Sequence, residues 1–404
     1  MTGQSIQASY KVSPSRVRDV TLQIRKGGAW VATDAGDVAF GTKGKITFTT
    51  GSPGTYYYRV VFPSESGRPT LAGPKMKIKV KSRRGYHAKA VAVGGGFACA
   101  INMSDSVDCW GYNIGGLKSQ AESVTKPSPV LGLANVKSIS AAEQTVCVVT
   151  IAGVPECWGD NTFGQLGDGT TDYGHTPKPI PGVTGASAVS VSGATVCVLL
   201  DDGRVSCQGY NSRGQLGRPL SMSEPTPAIV PGLNDVVQIA AGGDVTCAVM
   251  ADASVKCLGY NGDGNLGAGP APAGTHYSLT PVQAIGLSAI TKVASSPNIN
   301  SSQSCAVSAT GSLKCWPWGI GSNKDLPPTE VENAADVVDV ALGDSAQCLV
   351  QADGTAKCWG ENMEAVLGLG YWGDSGEVVV TPQRVAFMRD AKQVSVGYYS
   401  ACAI

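Results

Sequence analysis

Thirteen cysteines are the residues of this 404-residue chain whose type and spacing could do chemistry. That chemistry is disulfide formation or metal ligation. None lies before Cys99. Twelve fall into six pairs at one fixed spacing, i and i+10: Cys99/Cys109, Cys147/Cys157, Cys197/Cys207, Cys247/Cys257, Cys305/Cys315 and Cys348/Cys358. The thirteenth, Cys402, is two residues from the end, so a partner at that spacing would fall beyond the sequence. A spacing of nine intervening residues does not match the short Cys-x2-Cys of zinc knuckles, and no metal or other cofactor is expected.

The pair spacing has a geometric meaning. If Asp201, Asp202 and Gly203 form a three-residue hairpin loop with Gly203 in the left-handed conformation, residues 200 and 204 pair across it. Counting outward, Cys197 then stands directly opposite Cys207, at ~4.5 Å between Cα atoms if the pair is of the non-hydrogen-bonded kind. A disulfide can span that distance. Gly153, Gly311 and Gly354 hold the same loop position in three other pairs. Six recurrences favour disulfides in an oxidising compartment. The competing reading is pairs of small buried thiols in a reducing one.

What must position these pairs is a repeat. First members follow one another at intervals of 48, 50, 50, 58, 43 and 54 residues, a period typical of propellers. An alternating strand precedes each first cysteine, as in Val189-Ser190-Val191 or Val394-Ser395-Val396. Trp-Gly or a variant follows the second, as in Trp110-Gly111, Trp158-Gly159, Gln208-Gly209, Leu258-Gly259 and Trp359-Gly360. Glycine turns come next, clearest in Gly164-Gln165-Leu166-Gly167 and Gly214-Gln215-Leu216-Gly217, and a proline-marked segment closes the unit.

This unit resembles the regulator of chromosome condensation repeat, its best copy running from Cys157 to Thr170. The resemblance covers about three quarters of the chain. It implies an all-β, seven-bladed β-propeller over residues 85–404, of the secreted bacterial type with paired cysteines. The seventh blade is incomplete in this chain: Cys402 has no hairpin partner, no Cys-Trp-Gly and no glycine turn. Three explanations stay open, namely that the natural chain continues, that another polypeptide supplies the missing strands, or that the ring is open. Insertions in repeat arrays map to loops, often on the working face. The irregular fifth and sixth copies therefore make Trp316, Trp318, Tyr371 and Trp372 the candidate partner-contact aromatics, although core packing remains the favoured reading for each. Trp110, Trp158 and Trp359 are assigned to packing between blades.

Residues 1–84 lack both cysteine and the repeat motif. Short alternating runs such as Thr55-Tyr56-Tyr57-Tyr58 and Met76-Lys77-Ile78 between glycine- and proline-rich turns predict an immunoglobulin-like β-sandwich. The basic run from Lys75 to Arg84 reads as a solvated strand edge and linker. The N-terminus shows neither a basic nor an apolar leader region, so the expectation is a chain made without a signal or a mature, trimmed one; the cysteines favour the latter.

Other features narrow the function. With 31 basic and 31 acidic side chains the formal charge is zero, and no concentrated basic patch suits nucleic acid. No apolar run is long enough to span a membrane. His87, His175 and His276 are isolated, and no nucleophile elbow or phosphate loop occurs. The segment Asn261 to Gly267 lacks the distal Glu of a calcium loop and is better explained as a repeat turn. The expectation is a secreted or surface-displayed binding scaffold, not an enzyme, that recognises a protein or glycan. The alternative is a structural subunit of a surface filament or virion fibre, self-assembling through the seventh blade. A remoter alternative, taken from the resemblance, is a guanine nucleotide exchange factor.

Overall fold

A computed structural model describes the strands of residues 4–80 by their backbone, and then residues 86–115, 122–269, 276–298, 303–317, 327–362, 365–369, 378–385, 388 and 390–404. The chain divides into two compact units, Met1–Tyr86 and His87–Ile404.

In the first unit, Gly54–Phe62 is the central strand. It pairs antiparallel with Thr21–Lys26, Leu71–Ala72 and Met76–Val80, and Thr21–Lys26 carries Ala29–Ala32 on its far side. A separate ladder joins Gln4–Lys11 to Lys43–Thr50.

The second unit contains six four-stranded antiparallel sheets, each a meander in sequence order, over residues 88–129, 136–179, 186–229, 236–283, 290–330 and 337–384. These are the blades. The expected count of seven is corrected to six full blades. The remaining sheet has two strands, Val394–Val396 and Ala401–Ala403, and lies between the sixth blade and the first.

The repeated sequence explains the repeated hairpin. In every blade the two cysteines face each other in register. Each pair is joined as a disulfide: Cys99–Cys109, Cys147–Cys157, Cys197–Cys207, Cys247–Cys257, Cys305–Cys315 and Cys348–Cys358. The Cα atoms lie 4.0 to 4.1 Å apart. That is slightly closer than the expected separation of ~4.5 Å for a non-hydrogen-bonded pair. In the sixth blade Cys358 faces Cys348 on one side and Gln383 of the outer strand on the other, and a bulge separates it from Gly360.

The loop position six residues after the first cysteine is left-handed in every copy. Gly153, Gly203, Gly311 and Gly354 hold it at φ 76 to 79°, Asp105 and Ala253 at 58° and 62°. The second required glycine follows the Trp position. A Cβ on Gly159 would lie 2.0 Å from the Gln144 carbonyl oxygen, and on Gly209 2.3 Å from that of Ala194. Such contacts leave no room for a side chain. The buried asparagine of the motif holds the glycine turn: the oxygens of Asn161 and Asn211 accept the N–H groups of Leu166 and Leu216 at 2.9 and 3.0 Å.

Each blade's first strand lines the axis, where one ladder edge would be left without partners. Side chains of the preceding blade supply them. Ser140 Oγ accepts Val191 N–H at 3.0 Å, Ser190 Oγ accepts Ala241 N–H at 2.9 Å, and Gln238 Oε1 accepts Val293 N–H at 2.9 Å. Satisfying these donors removes a desolvation cost of about 1–3 kcal/mol each. The two-stranded sheet joins the same circle. Asp339, which also meets the Lys292 ammonium, accepts Val394 N–H at 2.8 Å; Gln393 and Ser395 accept Val91 and Val93 N–H at 3.1 and 3.0 Å. The open-ring alternative is thereby overturned: the inner circle is continuous.

Candidate functional site

One end of the axis is built from the turns between the first and second strands of every sheet. These turns approach one another closely. Gly95 N–H donates to Glu143 O at 2.6 Å, Gly243 N–H to Ser296 O at 3.0 Å, and Ser296 Oγ–H to Gly343 O at 2.9 Å. Gly193 N–H reaches Pro297 O at 3.4 Å, across from the third blade to the fifth. In five of the six blades the start of the third-to-fourth connection is tied to the same turns: Tyr112, Asp160, Tyr210, Tyr260 and Glu361 each donate their N–H to a turn carbonyl at 2.8 to 3.0 Å. All these residues therefore share one face of the ring.

That face is acidic and rich in tyrosine. Burial, and after it the Asp344 carboxylate, pushes Glu143 above the usual carboxylate range. Burial also raises Asp344, with Glu361 adding to the effect and an Asn298 amide contact opposing it. Asp244 is pushed up to about 6 by burial, with Arg213 pulling the other way. The Tyr398 hydroxyl is raised by its bond to Tyr399 and by the charges of Asp344 and Glu143. Its ring meets that of Tyr399 edge-on at 4.1 Å, and both are exposed, as is Tyr112. Phe163 meets Tyr210 edge-on with centroids 5.0 Å apart, and the Arg213 guanidinium sits 4.9 Å over the Tyr260 ring.

The opposite face carries the hairpin tips, and its carboxylates are in the reverse condition. Asp202, Asp252 and Asp353 accept local bonds from Arg204, Ser254 and Thr355, which hold all three below the usual range. Exposed apolar side chains there include Met103, Leu131 and Ile151. Among the described residues the turn face gathers three carboxylates that burial raises, which a cation would relieve, beside ring faces that attract one.

The paired cysteines take no part in either face. All twelve, from Cys99 to Cys358, are buried in the blades, and even Cys109 and Cys358 are no more than 3% exposed. Cys348–Cys358 sits in the core shared by the sixth blade and the two-stranded sheet, beside Leu367 and Val394. Cys402 alone keeps a free thiol and is half-buried.

Trp316 is not a contact residue. Its ring is buried and its indole N–H donates to Asn265 O at 3.0 Å. It lies in one core cluster with the Cys247–Cys257 disulfide, as Trp158 does with Cys99–Cys109 and Trp359 with Cys305–Cys315. The proline after Trp316 disguises an ordinary copy of the blade interface. Trp318, Tyr371 and Trp372 lie outside the described residues. His175 stands beside Tyr173, ring centroids 5.0 Å apart, and His276 offers its carbonyl to Asn261 N–H. Among the described residues no three His, Cys, Asp or Glu side chains are grouped to hold a metal ion, and no helix is long and apolar enough to cross a membrane.

Sequence reasoning missed Glu143, Asp344 and Tyr398, although the repeat carried the signal. All three sit four residues before a first cysteine, a position that is glycine in Gly95, Gly193 and Gly243. These three departures from glycine at one repeat position converge on one place in space, while a fourth, Ser301, lies outside the described residues.

Comparison with known proteins agrees with this architecture. Residues 157–200 and 202–249 match the model of the regulator of chromosome condensation (RCC1) repeat. The human and mouse E3 ubiquitin-protein ligases HERC2 are each 38% identical over 111 residues, which is 26% of this chain. The chain spans about 2% of the length of those curated relatives. Among solved structures, human WBSCR16 superposes with a TM-score of 0.68 at 20% identity, covering 84% of this chain and 94% of that one. Prp20p of Saccharomyces cerevisiae, described with its binding to Gsp1p and histones, gives 0.65 at 19% identity, covering 78% and 81%. At these identities the likeness is one of fold.

Proposed function

From a β-propeller that carries RCC1 repeats, we propose an extracellular, non-enzymatic protein-binding scaffold whose working face is the turn face. The observation that carries this reading is the gathering of Glu143, Asp344 and Tyr398, each from the same turn position of a different sheet, at one end of the ring. Glu143, Asp244 and Asp344 are raised, whereas the hairpin-tip aspartates are lowered by local bonds. A partner that brings lysine or arginine side chains would relieve the first set and gain nothing from the second. Tyr112, Tyr398 and Tyr399 supply rigid contact area around it. Of the structural relatives named above, Prp20p is a protein binder, which supports the class of function and not a particular partner. Disulfides in all six blades support an oxidising setting. The N-terminal unit, read as an immunoglobulin-like sandwich, would act as a spacer.

Selection from a displayed random-peptide library against the oxidised protein tests the class of partner. Enrichment of basic sequences is expected. Enrichment of acidic or purely apolar sequences would contradict the assignment.

A further inference from the structure

Seven sheets meet around the axis, and at six of their seven junctions a polar side chain of one inner strand reaches the next inner strand. Ser140, Ser190, Gln238, Lys292 and Asp339 each make one such bridge, and Gln393 and Ser395 share the sixth. The junction of the first and second blades differs. Its two bridging positions hold Ala90 and Ala92, whose methyl groups offer no acceptor. Across from them, Ile139 and Ala141 occupy the register positions of Val293 and Ala241, whose N–H groups are bridged. Ile139 and Ala141 therefore turn N–H and carbonyl groups to the axis with no side chain of the first blade to meet them.

These groups face a cavity of about 230 Å³ along the axis, lined by Ala92, Ile139 and Ala141 among others. Pro297 bounds it at the turn end, where Gly193 N–H meets the Pro297 carbonyl at 3.4 Å. In proportion to the ~150 Å³ that encloses a benzene ring, the space takes a molecule of about ten heavy atoms. Backbone groups turned into such a recess take water or a ligand of matching polarity. The protein itself shows which group matches. With one carboxamide, Gln393 accepts Val91 N–H at 3.1 Å and donates to the Val91 carbonyl at 3.4 Å. Gln238 does the same to Val293 at 2.9 and 3.0 Å. The N–H and carbonyl of one axis-facing residue thus make a socket for a primary carboxamide, and at Ile139 the chain supplies none. Lys292, the charged residue of the lining, is paired with Asp339, so a neutral molecule suits the space.

We infer that the axial cavity binds a small neutral molecule carrying a primary carboxamide, seated on the backbone of Ile139. The carboxamide oxygen accepts the Ile139 N–H, and its NH2 group donates to the Ile139 carbonyl. Selectivity comes from that second bond. A carboxylate of the same shape has no hydrogen for the carbonyl, and a dialkylated amide has none either, so each leaves an acceptor without its donor. The site is separate from the protein-binding face proposed above and does not depend on it.

The test titrates the full oxidised chain, isotope-labelled for NMR, with propionamide and follows the backbone amide resonances. A saturable shift at Ile139 is expected. N,N-dimethylpropionamide keeps the oxygen but has no hydrogen to give, and should bind about tenfold more weakly, the worth of one net hydrogen bond. Ala90→Gln sets the chain's own carboxamide on Ile139 and should abolish the shift. Ala188→Gln adds the same side chain at the junction of the third and fourth blades and should leave it. No shift with either amide, which would mean that water alone holds the place, overturns the inference. So does equal affinity for the two amides, or binding that survives Ala90→Gln. Should Ala90→Gln fail to fold, the two amides compared on the parent chain still decide.

Discussion

Gln393 clamps Val91 with both ends of its amide, accepting the Val91 N–H at 3.1 Å and donating to the Val91 carbonyl at 3.4 Å across 302 residues of sequence. Gln238 makes the same clamp on Val293, at 2.9 and 3.0 Å, between the fourth and fifth blades. The short sheet is therefore held by the same kind of bond that joins full blades.

The two clamps should be worth about the same. Gln393→Ala and Gln238→Ala are each expected to lower unfolding stability by about 1–2 kcal/mol, since each leaves a part-buried N–H without its acceptor. Urea titration of both variants checks this. A neutral Gln393→Ala beside a costly Gln238→Ala would show that the short sheet lies outside the cooperative ring.

Ala253 stands at φ 62° where four other hairpins have glycine. Ala253→Gly should raise stability by about 1 kcal/mol, because the left-handed conformation penalises a Cβ by more than glycine's extra chain entropy costs. Thermal unfolding would reveal an unchanged or lowered midpoint if that loop is not strained.

Asp244 gives the clearest pH dependence. Its folded-state pKa, about 6, lies above its ordinary 3.8, so the folded protein binds this proton more tightly than the unfolded chain. The contribution favours folding fully below about pH 4 and is lost as pH rises through about 6. Asp244→Asn should therefore exceed the parent by about 1 kcal/mol near neutral pH, a value discounted for solvent screening. That advantage should vanish toward about pH 4. Denaturant midpoints across this range decide it, and a pH-independent difference would count against the raised carboxyl.

Reduction should be costly. Each disulfide, from Cys99–Cys109 to Cys348–Cys358, closes a short hairpin, and losing one typically removes about 2–4 kcal/mol. Burial pushes the Cys402 thiol up, so it should alkylate slowly at neutral pH and faster as pH rises. Mass mapping of this chain produced alone, oxidised and thiol-blocked, should find six i/i+10 bonds and one label, on Cys402. A label on Cys358 or any other paired cysteine would contradict the register.

The hairpins were legible in the sequence because ten residues with one left-handed loop position leave a single antiparallel register for Cys197 and Cys207. The same count set Cys358 opposite Cys348. The blade count was less so. Whether two strands can finish a circle depends on Gln393 and Ser395 reaching the first blade across 302 residues of sequence, and no local pattern encodes that reach. Trp316 stood among the contact candidates because Pro317 breaks the motif in sequence, while the ring keeps its place in the core with Cys247–Cys257. The acidic face was hidden for a related reason: Glu143 and Asp344 are 201 residues apart and meet only through the geometry of the ring.

The turn-face assignment is tested most directly by measuring one selected peptide ligand against two sets of variants. Glu143→Gln, Asp344→Asn and Tyr398→Ala alter the turn face; Met103→Ser, Leu131→Ser and Ile151→Ser alter the hairpin face. Combined loss of two carboxylates and a ring should weaken binding by at least about tenfold, given ~1–2 kcal/mol for each desolvated contact. The hairpin-face set should leave it unchanged, and binding by the parent should strengthen as pH rises through about 6 and Asp244 ionises. Binding that survives the first set and falls with the second would place the working surface on the other side of the ring.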